Sequence, residues 1–240
     1  MSQALIRALH TADCFDHPVK DIEVHETHIS WIVLTGDYAY KIKKPLDFGS
    51  FLDFSTLERR KLLCEQEVRL NRRLAPTLYL DTVAISGTPE APRIGDDSDV
   101  FEYAVKMRQF SNRHLFSALQ ASGELSLELL DDLVDQLVAF HEQAERIQGD
   151  SELGSPQMVS RTIDNEFELI RPRLGDDAEA IKRLALLKQW TEETFQRLNP
   201  EFERRWQEGF VRETHGDIHL GNAVRHEGRA QLFDGIEFNE

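Results

Sequence analysis

Apolar and polar positions alternate through much of the first hundred residues and recur at helical spacing afterwards, with the change of period falling near Phe110. Within Asp21 to Lys44, Ile29 to Leu34 is rich in β-branched and aromatic residues, Thr35-Gly36-Asp37 has turn chemistry, and Tyr38 to Lys43 resumes the extended pattern. That succession predicts a hairpin. Ser55-Thr56-Leu57-Glu58 has capping-box spacing and predicts a helix to about Leu74, stopped by Ala75-Pro76. Leu78 to Ile85 and Val100 to Met107 predict two further strands, separated by a Gly-, Pro- and Asp-rich loop from Ser86 to Asp99. Beyond Phe110, Leu130, Leu133, Leu137 and Phe140 make a helical stripe, and a second helical region runs from about Ala178 to Leu198. Ala223 to Leu232 has the form of a short hairpin around His226-Glu227-Gly228-Arg229. The expected fold class is α+β, with a sheet-and-helix lobe at 1–107 and a mainly helical lobe at 108–240.

The composition narrows the function classes. A chain of 240 residues with 40% hydrophobic content can bury a real core. It has no long uncharged apolar run, and Arg7, His10 and Asp13 interrupt its start, so no membrane segment or secretion signal is expected and a cytoplasmic address follows. Cys14 and Cys64 are the only cysteines, too few for a disulfide framework or a cysteine-rich metal site. A formal net charge of −15 opposes binding to nucleic acid and to anionic membranes.

The densest chemistry lies in His215-Gly216-Asp217-Ile218-His219-Leu220-Gly221-Asn222, followed by Phe233-Asp234-Gly235. Phosphoryl transfer needs a base for the attacking hydroxyl and oxygen ligands for the ion that bridges the phosphates. In the kinase template an Asp is the base, an Asn five residues later holds metal, and an Asp in a later Gly-containing turn holds it as well. Asp217, Asn222 and Asp234 fit those three places. The hairpin between them would fold Asn222 and Asp234 back beside each other, and two oxygen ligands suit Mg²⁺. The alternative is that His215, Asp217 and Asn222 are turn formers.

With these residues the chain resembles the aminoglycoside phosphotransferase family and its kinase-like relatives, whose loop reads H-G-D-x-H-x-x-N. Within that superfamily it is most similar to bacterial kinase-like proteins often joined to a P-loop ATPase domain. The similarity is carried by Thr27-His28-Ile29-Ser30-Trp31, Tyr40-Lys41-Ile42-Lys43-Lys44-Pro45 and Phe51-Leu52-Asp53-Phe54-Ser55. The resemblance implies a two-lobed protein-kinase-like fold, ATP and Mg²⁺ as cofactors and a small-molecule hydroxyl as acceptor. It also implies His215 and Asp217 on the catalytic side, and backbone contacts to adenine from the hinge Tyr103 to Phe110, Met107 included. No P-loop signature occurs in these 240 residues, and no G-x-G-x-x-G precedes the lysine strand, where Thr27-His28-Ile29-Ser30 stands instead.

Two upstream residues complete the template. Strand alternation places Tyr38, Tyr40 and Ile42 on one face and Ala39, Lys41 and Lys43 on the other. Leu63, Glu67, Leu70 and Leu74 form a helical stripe, so Glu67 sits in an apolar seam and requires a cationic partner. Lys41 is the first candidate and matches the lysine to helix-glutamate pair of kinases, with Lys43 as an alternative phosphate contact and Glu65 as an alternative to Glu67. Two rival readings stand beside the phosphotransferase: a non-catalytic nucleotide-binding regulatory module, and a metallophosphoesterase suggested by Gly216-Asp217-Ile218-His219. The segment that follows the metal-binding turn in kinase-like folds is missing after Glu240. The chain is therefore expected to be completed by a C-terminal segment, a P-loop domain or another chain, and to expose apolar surface without it.

Overall fold

The computed structural model describes residues 2–47, 52–147 and 151–237; Phe51 of the similarity above and the two termini, Met1 and Glu240, lie outside them. Along the chain the elements are α1 (Ser2–Ala8), β1 (Glu23–Glu26), β2 (Ser30–Leu34), β3 (Tyr38–Lys43), α2 (Leu57–Asn71), β4 (Tyr79–Thr88), β5 (Ala91–Ile94), β6 (Val100–Arg108), α3 (Phe116–Ser122), α4 (Leu127–Gln143), α5 (Pro156–Ile170), α6 (Ala178–Gln207), β7 (Ala223–His226) and β8 (Arg229–Leu232). The fold is α+β, with an antiparallel sheet in the order β1-β2-β3-β6-β4-β5 and a separate β7-β8 hairpin. None of the described helices is long and apolar enough to cross a membrane.

The chain divides into two compact units, one of residues 1–140 with 215–240 and one of residues 141–214. In the first unit both faces of the sheet are covered. Val33, Tyr40, Ile42, Ile85 and Ala104 pack with Leu5 and Leu9 on one face, and Ala39, Val105 and Met107 pack with Cys64 and Val68 of α2 on the other. The parity expected for β3 is the observed one. The β7-β8 hairpin contributes Val224 to the α2 side, and Ala223, Ala230 and Leu232 to a third cluster with Phe116, Leu119, Leu129 and Leu133. Asp132 of α4 fixes the hairpin by accepting from the Arg229 guanidinium (2.6 Å) and from the Ala230 N–H (2.8 Å).

Several boundaries differ from the sequence expectation. The N-cap of α2 is Thr56, one residue beyond Ser55, and its hydroxyl accepts from the Arg59 N–H. The loop at 86–99 holds strand β5, where Pro92 is tolerated because β5 is an edge strand. In the second unit, α5 has a Ser155 cap and Pro156 in its first turn, start signals that the apolar pattern alone passes over. Helix α6 continues to Gln207 through Pro200, and Phe195 and Phe202 stack across that point with centroids 5.4 Å apart. Leu127, Val134 and Val138 of α4, and Leu186, Leu187 and Trp190 of α6, are exposed.

A buried ion pair ties α2 to the sheet: Arg60 Nε lies 2.9 Å from Glu102 Oε1, and both side chains are almost fully enclosed. Burial pushes the Glu102 carboxyl above its ordinary range even with the guanidinium beside it. Arg60→Ala leaves that carboxyl without its partner and is expected to cost about 3–5 kcal/mol in urea unfolding at neutral pH. The deficit should shrink as pH falls, because protonating Glu102 removes the unpaired charge. A loss under about 1 kcal/mol would show that Glu102 escapes to solvent.

Candidate functional site

The residues singled out in the sequence converge within the first unit, where β3, α2 and the segment 215–237 meet. Glu67 is fully buried and each of its carboxylate oxygens takes a different ammonium: Lys41 Nζ lies 2.9 Å from Oε1 and Lys43 Nζ lies 2.6 Å from Oε2. Lys41 also bonds Asp234 Oδ1, and Lys43 bonds Glu237 Oε1 at 2.5 Å. Burial disfavours the charge on Lys41, but the carboxylates of Asp234 and Glu67 outweigh it and raise its pKa well above the ordinary value. Burial likewise acts to raise Glu67, and the two lysines override it and bring its pKa down to about 2. At Glu237 burial wins over Lys43 and the pKa goes up. Glu65, the alternative to Glu67, is exposed on the far side of the helix.

The two lysines differ in access. Lys41 lines a cleft of about 650 Å³, whereas Lys43 is fully buried with its ammonium also 5.0 Å from the centre of the Phe54 ring. Lys43, the alternative phosphate contact of the sequence reading, is therefore not part of the cleft lining. The cleft is also lined by Asn222, Asp234 and Met107, by the apolar side chains of Ile32, Leu34, Leu115 and Phe233, and by Thr27 and His28 of the β1-β2 turn. Glu67 and Glu237 stand behind this lining.

Asn222 Nδ2 donates to Asp217 Oδ2 at 3.1 Å and to the Asp217 carbonyl at 3.0 Å, which fixes a side chain that is otherwise half exposed. The same nitrogen lies 3.5 Å from the Asp234 carbonyl, so Asn222 and Asp234 are side by side as the hairpin requires. Asp234 is held with φ at +60°, a conformation costly for a residue with a Cβ, and the neighbouring bonds show what maintains it. Its N–H donates to the Tyr79 hydroxyl (3.0 Å), the Gly235 N–H to Asn71 Oδ1 (2.7 Å), and the Ile236 N–H to the His215 carbonyl (2.9 Å). Burial raises the Tyr79 pKa well above its usual value and keeps the phenol neutral. A Cβ on Gly235 would lie 3.1 Å from both the His215 ring and its carbonyl, a tight approach that these neighbours would have to relieve by a few tenths of an ångström.

The resemblance implies His215 beside Asp217 on the catalytic side, and in the structure both of its ring nitrogens meet backbone groups. Its Nε2 lies 3.0 Å from the Phe233 carbonyl and its Nδ1 accepts from the Asp217 N–H at 3.3 Å, so the proton sits on Nε2. Burial lowers its pKa and favours that neutral form. With both nitrogens on backbone partners, His215 joins the Asp217 loop to the Asp234 turn. Tyr79, Asn71 and Glu237 were not anticipated. Only Glu237 left a sequence trace, as a charge directly after apolar Ile236.

Asn222 and Asp234 offer two oxygen donors on one side of the cleft, a set that fits Mg²⁺ with phosphate and water completing its shell. Among the described residues no group of three or more His, Cys, Asp or Glu side chains could hold a metal by itself.

No family model matches the chain, and no solved structure matches it. It is 29% identical over 232 residues, 95% of its length, to uncharacterized proteins from two strains of Mycobacterium tuberculosis and from Mycobacterium bovis. The chain spans 44% of the length of these relatives.

Tyr79→Phe removes the acceptor for the Asp234 N–H while keeping the ring in the core. The variant is expected to lose about 1–3 kcal/mol in chemical denaturation, the usual cost of an orphaned buried donor. An unchanged midpoint would mean that the Asp234 turn does not depend on the phenol.

Proposed function

We propose that the chain is the nucleotide-binding and catalytic part of a kinase-like phosphotransferase, moving the γ-phosphate of ATP to a hydroxyl of a small-molecule acceptor. On this reading the fold is a two-lobed kinase-like one, with the sheet and α2 of 1–107 as the nucleotide lobe. The observation that carries it is the placement of Lys41, backed by buried Glu67, in one cleft with Asn222 and Asp234. The sequence distances of 26 residues from Lys41 to Glu67 and 193 from Lys41 to Asp234 make a chance meeting of these three charges a poor explanation.

Each residue then has a physical task. Lys41 neutralises phosphate charge, and Glu67 holds the ammonium toward the cleft. Asn222 and Asp234 would hold Mg²⁺, which supplies further neutralisation of the β and γ phosphates when bound. Asp217 accepts the proton of the acceptor hydroxyl as its oxygen bonds the γ-phosphorus and the bond to the β–γ bridging oxygen breaks, releasing ADP. The Asn222 amide keeps the Asp217 carboxylate aimed during this step. The apolar lining from Ile32, Leu34, Met107 and Leu115 suits a flat base.

Calorimetry with Mg-ATP and a phosphorylation screen of hydroxylated metabolites with mass readout test the proposal together. Wild-type protein is expected to bind Mg-ATP and phosphorylate at least one acceptor. Asp217→Asn should lower turnover by at least about a hundredfold and leave nucleotide affinity within about threefold. Near-normal turnover in that variant removes Asp217 from the chemistry, and binding without turnover of any acceptor supports a nucleotide-binding regulatory module instead.

A further inference from the structure

Lys43 and Glu237 stand outside the roles assigned above, yet Lys43 is as fully buried as Glu67 itself and Glu237 is nearly so. Lys43 Nζ lies 2.6 Å from Glu67 Oε2 and 2.5 Å from Glu237 Oε1, and it has no access to the cleft. The cluster Lys41, Lys43, Glu67, Glu237 and Asp234 thus holds two positive and three negative groups. When Lys41 engages an anion in the cleft, Glu67 would be left as a buried carboxylate facing only partial compensation. Lys43 supplies the missing counter-charge from behind.

We infer that Lys43 and Glu237 form a charge-setting pair for the phosphate grip: Lys43 occupies one oxygen of Glu67 permanently, so that of Glu67 only the other oxygen, together with Asp234, holds Lys41, which can turn to phosphate. They are positioning residues and do not touch the ligand. The inference rests on the reading of the cleft as a nucleotide site. Without Lys43, two buried carboxylates, Glu67 and Glu237, would compete for Lys41 and draw it off the cleft. Without the charge of Glu237, Lys43 would concentrate on Glu67 and loosen the hold of Glu67 on Lys41. The two changes therefore act on phosphate binding in opposite directions, and neither acts on the base-binding part of the cleft.

The test measures Mg-ATP and adenosine affinities by calorimetry for wild type, Lys43→Met and Glu237→Gln. Lys43→Met is expected to weaken Mg-ATP at least about tenfold, on the scale of one close charge interaction, and to leave adenosine unchanged. Glu237→Gln keeps an amide oxygen for the Lys43 hydrogen bond and is expected to tighten Mg-ATP by roughly two- to fivefold, again without effect on adenosine. Should Lys43→Met fail to fold, Glu237→Gln carries the test by itself through its sign. Equal weakening of both ligands in either variant would show a merely structural pair, and unchanged or weaker Mg-ATP binding in Glu237→Gln would overturn the inference. Wild-type protein that binds neither ligand would refute the nucleotide reading itself, an outcome separate from these.

Discussion

A carboxylate with no exposure to water has to be answered by positive charge at hydrogen-bond distance, and Glu67 is answered twice, by Lys41 and by Lys43. That demand reaches into three elements. It fixes the side of β3 that faces α2, because a slip of one residue would send both ammoniums into the apolar layer around Val33, Tyr40 and Ile42 and leave Glu67 alone. It fixes the rotation of α2 about its axis, since Glu65 is two residues away and points to solvent. Through Lys43 it also reaches Glu237 and so determines how the chain leaves the Asp234 turn. The register of the sheet and the shape of the site are in this sense one constraint.

The Asp234 turn shows how local strain is contained. A positive φ at a residue with a Cβ persists only where the surroundings over-determine it. Here the backbone donors of Phe233, Asp234, Gly235 and Ile236 all have partners, drawn from Asn222, Tyr79, Asn71 and His215 respectively. Asn71 serves twice, because its amide nitrogen donates to the Glu67 carbonyl while its oxygen takes the Gly235 N–H. The end of α2 therefore fixes the turn directly, and the position of Asp234 relative to Lys41 does not depend on their own ion pair.

Much of the sheet was legible because alternation and turn chemistry agree there: β2, β3, β4 and β6 fall within a few residues of their expected places. Strand β5 was not, since Pro92 reads as loop until its place at an edge is known. Helix α6 outruns its expected end because Pro200 forbids a hydrogen bond without forbidding the packing of Phe195 on Phe202. In the site, the residues that were legible carry charge in a recognisable order, as Lys41, Glu67, Asn222 and Asp234 do. Tyr79 and Asn71 were invisible because they act on backbone groups more than 150 residues away, and no local pattern marks a side chain for that. The separation of Lys43 from Lys41 was beyond sequence reasoning for a related reason, since both share one face of β3 and only the depth of the cleft tells them apart.

The two rims of the main sheet have a consequence of their own. The outer rim at one end is β1, whose Glu23, His25 and Glu26 are exposed, and at the other it is β5, where Pro92 lacks an N–H and Arg93 is exposed. A foreign strand seeking to extend the sheet would meet carboxylates on one side and a missing donor on the other. Recognition of this protein by another polypeptide is thereby steered away from main-chain zippering and toward contacts between side chains, which keeps a six-stranded, open-edged sheet from becoming a template for its own aggregation.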